Sequence, residues 1–106
     1  MIKVAVMGYG VVGSGVVELI DKNNKLFEKK LGQPIEVKYI LDVRDFPGDP
    51  YESKLIKDFD TLVNDPEISV VAETIGGAKV AYEFTKKCLQ AGKSVVTSNK
   101  ELVATH

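Results

Sequence analysis

The sequence has a single cysteine, Cys88, which rules out an internal disulfide and suits a reducing compartment, with the cytoplasm as the expectation. Cys88 itself reads as a small core residue. No apolar run approaches the roughly 20 residues that span a bilayer. Met1-Ile2-Lys3 leads straight into a strand, without the layout of a signal peptide. Neither sign of charge dominates: 14 basic side chains face 15 acidic ones, for a net charge of -1. An overall basic field that would gather nucleic acid or an anionic membrane is therefore absent, and only a local anion site remains open. No residues have metal-ligand spacing, and the one histidine, His106, has no partner for chemistry. Repeats, low-complexity segments and linkers are also missing. At 106 residues the chain is one domain, short of the roughly 150 at which most of a domain's surface is buried, so a complete two-domain enzyme does not fit.

What the sequence does have begins at residue 2. An apolar run over residues 2–7 delivers Gly8-Tyr9-Gly10-Val11-Val12-Gly13 into a helix-forming segment. A G-x-G-x-x-G between a buried strand and a helix has a specific use. Gly8 permits the tight turn, Gly10 leaves no Cβ in the path of a pyrophosphate, and Gly13 lets the helix pack closely on the strand. The amides of residues 10–13 then face an anion at the positive end of the helix dipole.

Beyond the turn, Val12, Val16, Ile20, Phe27 and Leu31 recur at helical spacing, which predicts one long amphipathic helix ended by Gly32-Gln33-Pro34. Glu18 with Lys22 and Asp21 with Lys25 form i,i+4 pairs on its wet side, and Lys25, Lys29 and Lys30 read as a solvated helix end. Residues 35–43 predict a second strand, parallel to the first because a helix joins them. Phe46-Pro47-Gly48-Asp49-Pro50 is turn chemistry, so residues 45–51 are expected to be an exposed and disordered loop. A short edge strand over 55–59, a brief helix over 61–64 capped by Asp60, and a strand over 68–75 follow. Ala78, Ala81, Phe84 and Cys88 mark one face of a second long helix, with Gly92 as its left-handed cap. A last strand covers 94–97, before Ser98-Asn99-Lys100 and a stub of helix.

This alternation predicts a Rossmann-type three-layer α/β/α domain with a mostly parallel sheet in the order 3-2-1-4-5. Ligands of such sheets lie beyond the carboxyl ends of the strands, where the order reverses. That edge would gather the glycine turn, Asp42 and Arg44, Thr74-Ile75-Gly76-Gly77, and Thr97-Ser98-Asn99-Lys100. An acid at Asp42 suits a ribose 2′-hydroxyl and hence NAD, whereas a guanidinium at Arg44 suits the 2′-phosphate of NADP. Both are present. Gly76-Gly77 fits either a plain strand-to-helix turn or close passage of a cofactor. Lys100 could hold a substrate oxygen by a charge-assisted hydrogen bond.

These residues, with Asn64-Asp65-Pro66, Glu73-Thr74-Ile75-Gly76-Gly77 and Val95-Val96-Thr97-Ser98-Asn99-Lys100, give the whole chain a resemblance to the N-terminal nucleotide-binding part of homoserine dehydrogenase. The most specific elements are the valine-rich strand ending in Thr-x-Asn-Lys and the Glu-x-Ile-Gly-Gly turn upstream of it. Where that family usually has alanine before Asn-Lys, this sequence has Ser98. The resemblance implies NAD(P)-dependent interconversion of aspartate 4-semialdehyde and homoserine, toward threonine and methionine. It implies that backbone groups of Gly10, Val11, Val12 and Gly13 hold the pyrophosphate, with Gly8 and Tyr9 also at the cofactor, and that Thr74, Ile75 and Gly76 border the ribose and nicotinamide. Ser98 and Asn99 would lie beside the cofactor, with Lys100 beside both cofactor and substrate as the catalytic residue. Val43-Arg44-Asp45 matches a family segment that meets the 2′-phosphate, which moves the expectation toward NADP. The family's second catalytic lysine, its substrate-binding acid and its dimerisation sheet belong to a later domain. This chain is thus expected to bind cofactor without turning substrate over, and its parent to be a homo-oligomer. Two alternatives stay open: another small NAD(P) oxidoreductase, against which Ser98-Asn99-Lys100-Glu101 argues, and a non-enzymatic dinucleotide-sensing module.

Overall fold

A computed structural model describes residues 1–75 and 78–97 of the chain. Its five strands are β1 (Ile2–Met7), β2 (Ile35–Leu41), β3 (Leu55–Ile56), β4 (Ile68–Glu73) and β5 (Ser94–Thr97). They form one sheet in the order β3-β2-β1-β4-β5, and every pairing is parallel. The predicted order and class are those observed. Helices α1 (Val11–Lys22) and α2 (Asn24–Leu31) follow β1, α3 (Phe59–Val63) precedes β4, and α4 (Ala78–Gln90) joins β4 to β5.

The central strand is apolar and buried from Val4 to Met7 because both of its faces are covered there, while Lys3 near its start pairs with Glu67. Ala5 and Met7 pack with Phe59, Leu62, Val71 and Cys88 on one side. Val6 packs with Val17, Val37 and Ile40 on the other. Ala81 and Cys88 are fully buried on α4, as the spacing predicts. Phe84 stacks on Phe59 with ring centroids 4.2 Å apart, locking α4 to α3. At the opposite end of the sheet from the glycine turn, the Lys93 ammonium is buried and donates to the carbonyls of Asp65 and Ile68.

The structure corrects several local expectations. The long first helix is two helices, because Asn23 leaves helical geometry (φ -110°, ψ 20°) and its side-chain amide donates to the Leu19 carbonyl. Glu18 and Lys22 do pair, at 3.9 Å, but Asp21 and Lys25 fall on different helices, and Asp21 accepts from the Tyr51 hydroxyl instead. The packed face of α1 is set by Gly13 and Val17, with Val16 and Ile20 beside them, so Val12 and Leu31 are about half exposed. The cap of α3 is Asp58, whose carboxylate accepts from the Asp60 amide, so the helix starts at Phe59. Finally, the 45–51 segment is anchored rather than loose. The Tyr9 hydroxyl donates to Asp49 at 2.8 Å, and the Tyr9 and Phe46 rings meet edge to face at 5.0 Å. Gly92 is left-handed as predicted, at φ 83°, and Gly32, expected to help end the first helix, ends α2 at φ 77°.

Candidate functional site

The sheet order reverses at β1, whose neighbours β2 and β4 send their connections to opposite faces. At its carboxyl end the Gly8 amide donates to the Leu41 carbonyl at 2.7 Å, and the Thr74 amide donates to the Met7 carbonyl at 2.9 Å. The two flanking strands therefore hold the glycine turn from either side. Gly8 sits at φ 100°, a conformation side chains rarely adopt, and a Cβ there would also lie 2.9 Å from the Thr74 hydroxyl. At Gly13 a Cβ would lie 1.9 Å from the Gly8 carbonyl oxygen. Both glycines are required by the protein's own packing.

Gly10 differs. It caps α1 at φ -86°, where any residue is comfortable, and the nearest heavy atom to a Cβ on it is the Arg44 Nη2 at 4.0 Å. The missing side chain serves no internal contact; it keeps space open outside the turn. Val11, Val12 and Gly13 follow in the first helical turn, where amides have no carbonyl one turn back to bond. Val11 and Val12 are exposed, and the turn carries no acidic side chain to oppose an anion. Open space beside free amides and a positive helix end is what a pyrophosphate needs.

A crevice of about 470 Å³ opens beside this turn, lined by Gly8, Tyr9 and Gly10 of the turn, by Leu41, Asp42, Val43 and Arg44 at the end of β2, and by Lys57, Phe59, Thr74, Ile75, Val80 and Phe84. Its volume is within the ordinary range of small-molecule sites. The second cavity, beneath α1, is only about 130 Å³. A further hollow of about 450 Å³ adjoins the crevice around Arg44, Phe46, Glu52 and Lys57.

At the end of β2, the Asp42 carboxylate accepts four hydrogen bonds. One oxygen takes the Arg44 amide (2.9 Å) and Nε (3.0 Å); the other takes Arg44 Nη2 (2.9 Å) and the Tyr9 amide (2.9 Å). The Arg44 guanidinium, then the two amides, hold the Asp42 carboxyl well below the usual carboxylate range, although burial pushes the other way. Asp42 in turn raises the Arg44 pKa, and Arg44 lies 5.2 Å over the Phe46 ring. Tyr9 lines the crevice while its side chain is buried; burial, and then the bond to Asp49, push its phenol pKa up, so the hydroxyl stays a donor.

The Thr74 hydroxyl is committed to the turn, donating to the carbonyls of Met7 and Gly8. Beneath it Glu73 is fully buried, accepting from the Ile75 amide and the Thr97 hydroxyl and so tying the end of β4 to the end of β5. Thus Gly8, Tyr9, Gly10, Arg44, Thr74 and Ile75 meet at one crevice, with Val11, Val12 and Gly13 in the adjoining helix turn. Gly76, Ser98, Asn99 and the expected catalytic Lys100 lie outside the described residues. Sequence reasoning missed Lys57 and Phe46. The carboxyl-end rule that singled out Arg44 would have found Lys57 had the edge strand not been drawn through residue 59; β3 ends at Ile56. Lys57 pairs with Asp45 at 2.6 Å on the crevice rim.

A sequence model described as homoserine dehydrogenase, NAD binding domain, matches residues 8–106. The chain belongs to that family. The homoserine dehydrogenase of Pseudomonas aeruginosa is 37% identical over 106 residues, which cover 99% of this chain and 24% of that protein. The crystal structure of S. aureus homoserine dehydrogenase at pH 7.0 superposes with a TM-score of 0.88 at 30% identity, over 99% of this chain and 28% of that one. The enzyme from Thiobacillus denitrificans gives a TM-score of 0.86 at 33% identity, over 98% and 25%. The chain spans about a quarter of the length of the curated relatives it matches. As a homoserine dehydrogenase NAD-binding domain it is built to hold a nicotinamide dinucleotide, and the glycine turn and crevice fit that group. Among the described residues no cluster of His, Cys, Asp and Glu could hold a metal, and no helix is long and apolar enough to cross a membrane.

Proposed function

We propose that this domain serves an enzyme that interconverts aspartate 4-semialdehyde and homoserine, with NADP as the favoured cofactor. The observation that carries the cofactor site is Gly10, whose missing side chain has no internal reason and leaves room for a pyrophosphate at the first turn of α1. A dinucleotide held here would supply or accept the hydride. The chain's own residues do the holding. Amides of residues 10–13 bind the pyrophosphate, Thr74 and Ile75 border the ribose and nicotinamide, and Arg44, with Lys57 nearby, meets the 2′-phosphate. The exposed Arg44 guanidinium keeps N–H groups free for a phosphate, and this donor geometry supports the preference, since Asp42, Asp45 and Glu52 line the same hollow and offset the charge of Arg44 and Lys57.

Lys100, with Ser98 and Asn99 before it, is proposed to stand beside the reacting oxygen, where an ammonium would favour charge developing on that atom. By likeness to the family, the remaining substrate contacts and the subunit interface come from segments beyond those described, and the reaction belongs to the route toward threonine and methionine.

Calorimetric titration with NADPH and NADH tests the reading. Saturable binding of NADPH, tighter than NADH and lost in Gly10→Val, is expected. Unchanged affinity in that folded variant would remove the pyrophosphate assignment. Equal affinity for the two cofactors would remove the preference for NADP.

A further inference from the structure

We propose that Asp42 is a positioning residue for Arg44, clamping its guanidinium for the 2′-phosphate, and that its carboxylate does not read the ribose hydroxyls. This rests on the reading above that Arg44 meets the 2′-phosphate. An acid at the end of β2 ordinarily accepts from a ribose 2′-hydroxyl, so the assignment here turns on what Asp42 has left to offer.

A carboxylate presents about four lone-pair sites. In Asp42 all four are engaged, two by the Arg44 side chain, one by the Arg44 amide and one by the Tyr9 amide. The side chain is 7% exposed, so a ribose hydroxyl would have to displace one of these bonds to reach it. Arg44, by contrast, is 60% exposed and has five N–H donors, of which the clamp uses two. Three remain. The Phe46 ring backs the guanidinium, and Phe46 is itself braced against Tyr9. Tyr9, Asp42, Arg44 and Phe46 thus close a circuit that ties the arginine to the glycine turn, with Nη2 4.0 Å from the open position over Gly10. A long side chain that would otherwise be ordered on binding is ordered in advance.

Two effects of Asp42 on a bound phosphate oppose each other: the clamp favours binding, and the carboxylate's charge disfavours it. They separate by background. Asp42→Asn keeps an oxygen for the Tyr9 amide but cannot take the two-pronged guanidinium, and Arg44→Ala removes the group being positioned. Titrating NADPH and NADH calorimetrically into the protein, Asp42→Asn, Arg44→Ala and the double variant reads the coupling. The expected result is that Asp42→Asn weakens NADPH about three- to tenfold, with NADH changed less than about twofold. In the Arg44→Ala background the same substitution should no longer weaken NADPH. Arg44→Lys keeps the charge at an exposed position but loses the two-pronged geometry, and is expected to lose most of the NADPH preference.

A larger loss for NADH than for NADPH in Asp42→Asn would make Asp42 a ribose reader and overturn the proposal. So would an equal NADPH loss in both backgrounds, tighter NADPH binding in Asp42→Asn alone, or full NADPH affinity in Arg44→Lys. Failure of the underlying reading looks different: Arg44→Ala would then weaken both cofactors alike.

Discussion

The Gly13 Cα points at the Gly8 carbonyl oxygen so closely that a single added carbon would lie 1.9 Å from it. This contact joins the first turn of α1 to the end of β1, and it makes Gly13 a packing glycine where Gly10 is not. Gly13→Ala must push the helix off the strand, and Thr74, whose hydroxyl is 2.8 Å from the same position, blocks a sideways escape. The expected cost is about 3 kcal/mol, the upper end of overpacking effects. Gly10→Ala meets nothing closer than 4.0 Å and should change stability by no more than about 1 kcal/mol. Cofactor affinity should show the reverse sensitivity per unit of stability lost, because Gly10→Ala alone puts a methyl group where the phosphate would sit. Urea unfolding and calorimetry on the two variants check both halves; equal destabilisation would show that the turn does not distinguish them.

The strand, turn and helix at the start of the chain were legible because their causes are local: an apolar run, three glycines, an amphipathic repeat. Gly32 and Gly92 were legible for the same reason. The break at Asn23 was not, since apolar spacing continues across it and the event is a side-chain amide bonding back to Leu19. The candidate site was legible as a set of strand ends. Its wiring was not. Tyr9 and Asp42 are 33 residues apart, Tyr9 and Asp49 are 40 apart, and no periodicity encodes such contacts. The 45–51 segment had the composition of a free loop, and what anchors it is three aromatic rings, Tyr9, Phe46 and Tyr51, with polar or cationic partners.

Acid should loosen the fold at two identifiable carboxylates. The Asp65 pKa is held below the usual range by Lys38 and Tyr39, then by the Glu67 amide; that of Asp42 is held down chiefly by Arg44. A folded pKa below the unfolded value of about 3.9 means that the unfolded chain binds more protons. Stability from these groups is therefore fully present above about pH 4 and is lost as pH falls through that range toward the folded pKa values. Urea midpoints measured from pH 6 to pH 2.5 should fall most steeply below about pH 4. Asp65→Asn should be less stable than the parent at pH 6, with the gap closing as pH drops. A gap that stays constant down to pH 2.5 would show that the Asp65 charge contributes nothing.

Cys88 offers a built-in reporter that links the core to the cofactor site. It is fully buried on α4 beside Ala5, Met7 and Val71, and burial pushes its pKa up to about 11, against a smaller opposite pull from Lys93. A thiol with that pKa is scarcely ionised at pH 8, and no reagent reaches it in the folded chain. Labelling by a water-soluble disulfide reagent should then require opening of the core, at a rate set by the open fraction when reclosing is fast. A ligand that binds only the closed form lowers that fraction by mass action, by about 2.7 kcal/mol at 100 times its Kd. NADPH at that level should slow labelling about 100-fold, and the same concentration should do nothing in Gly10→Val. Labelling as fast with NADPH as without, in a chain shown by calorimetry to be saturated, would mean that Cys88 is reached by a local fluctuation of α4 which the cofactor does not restrain.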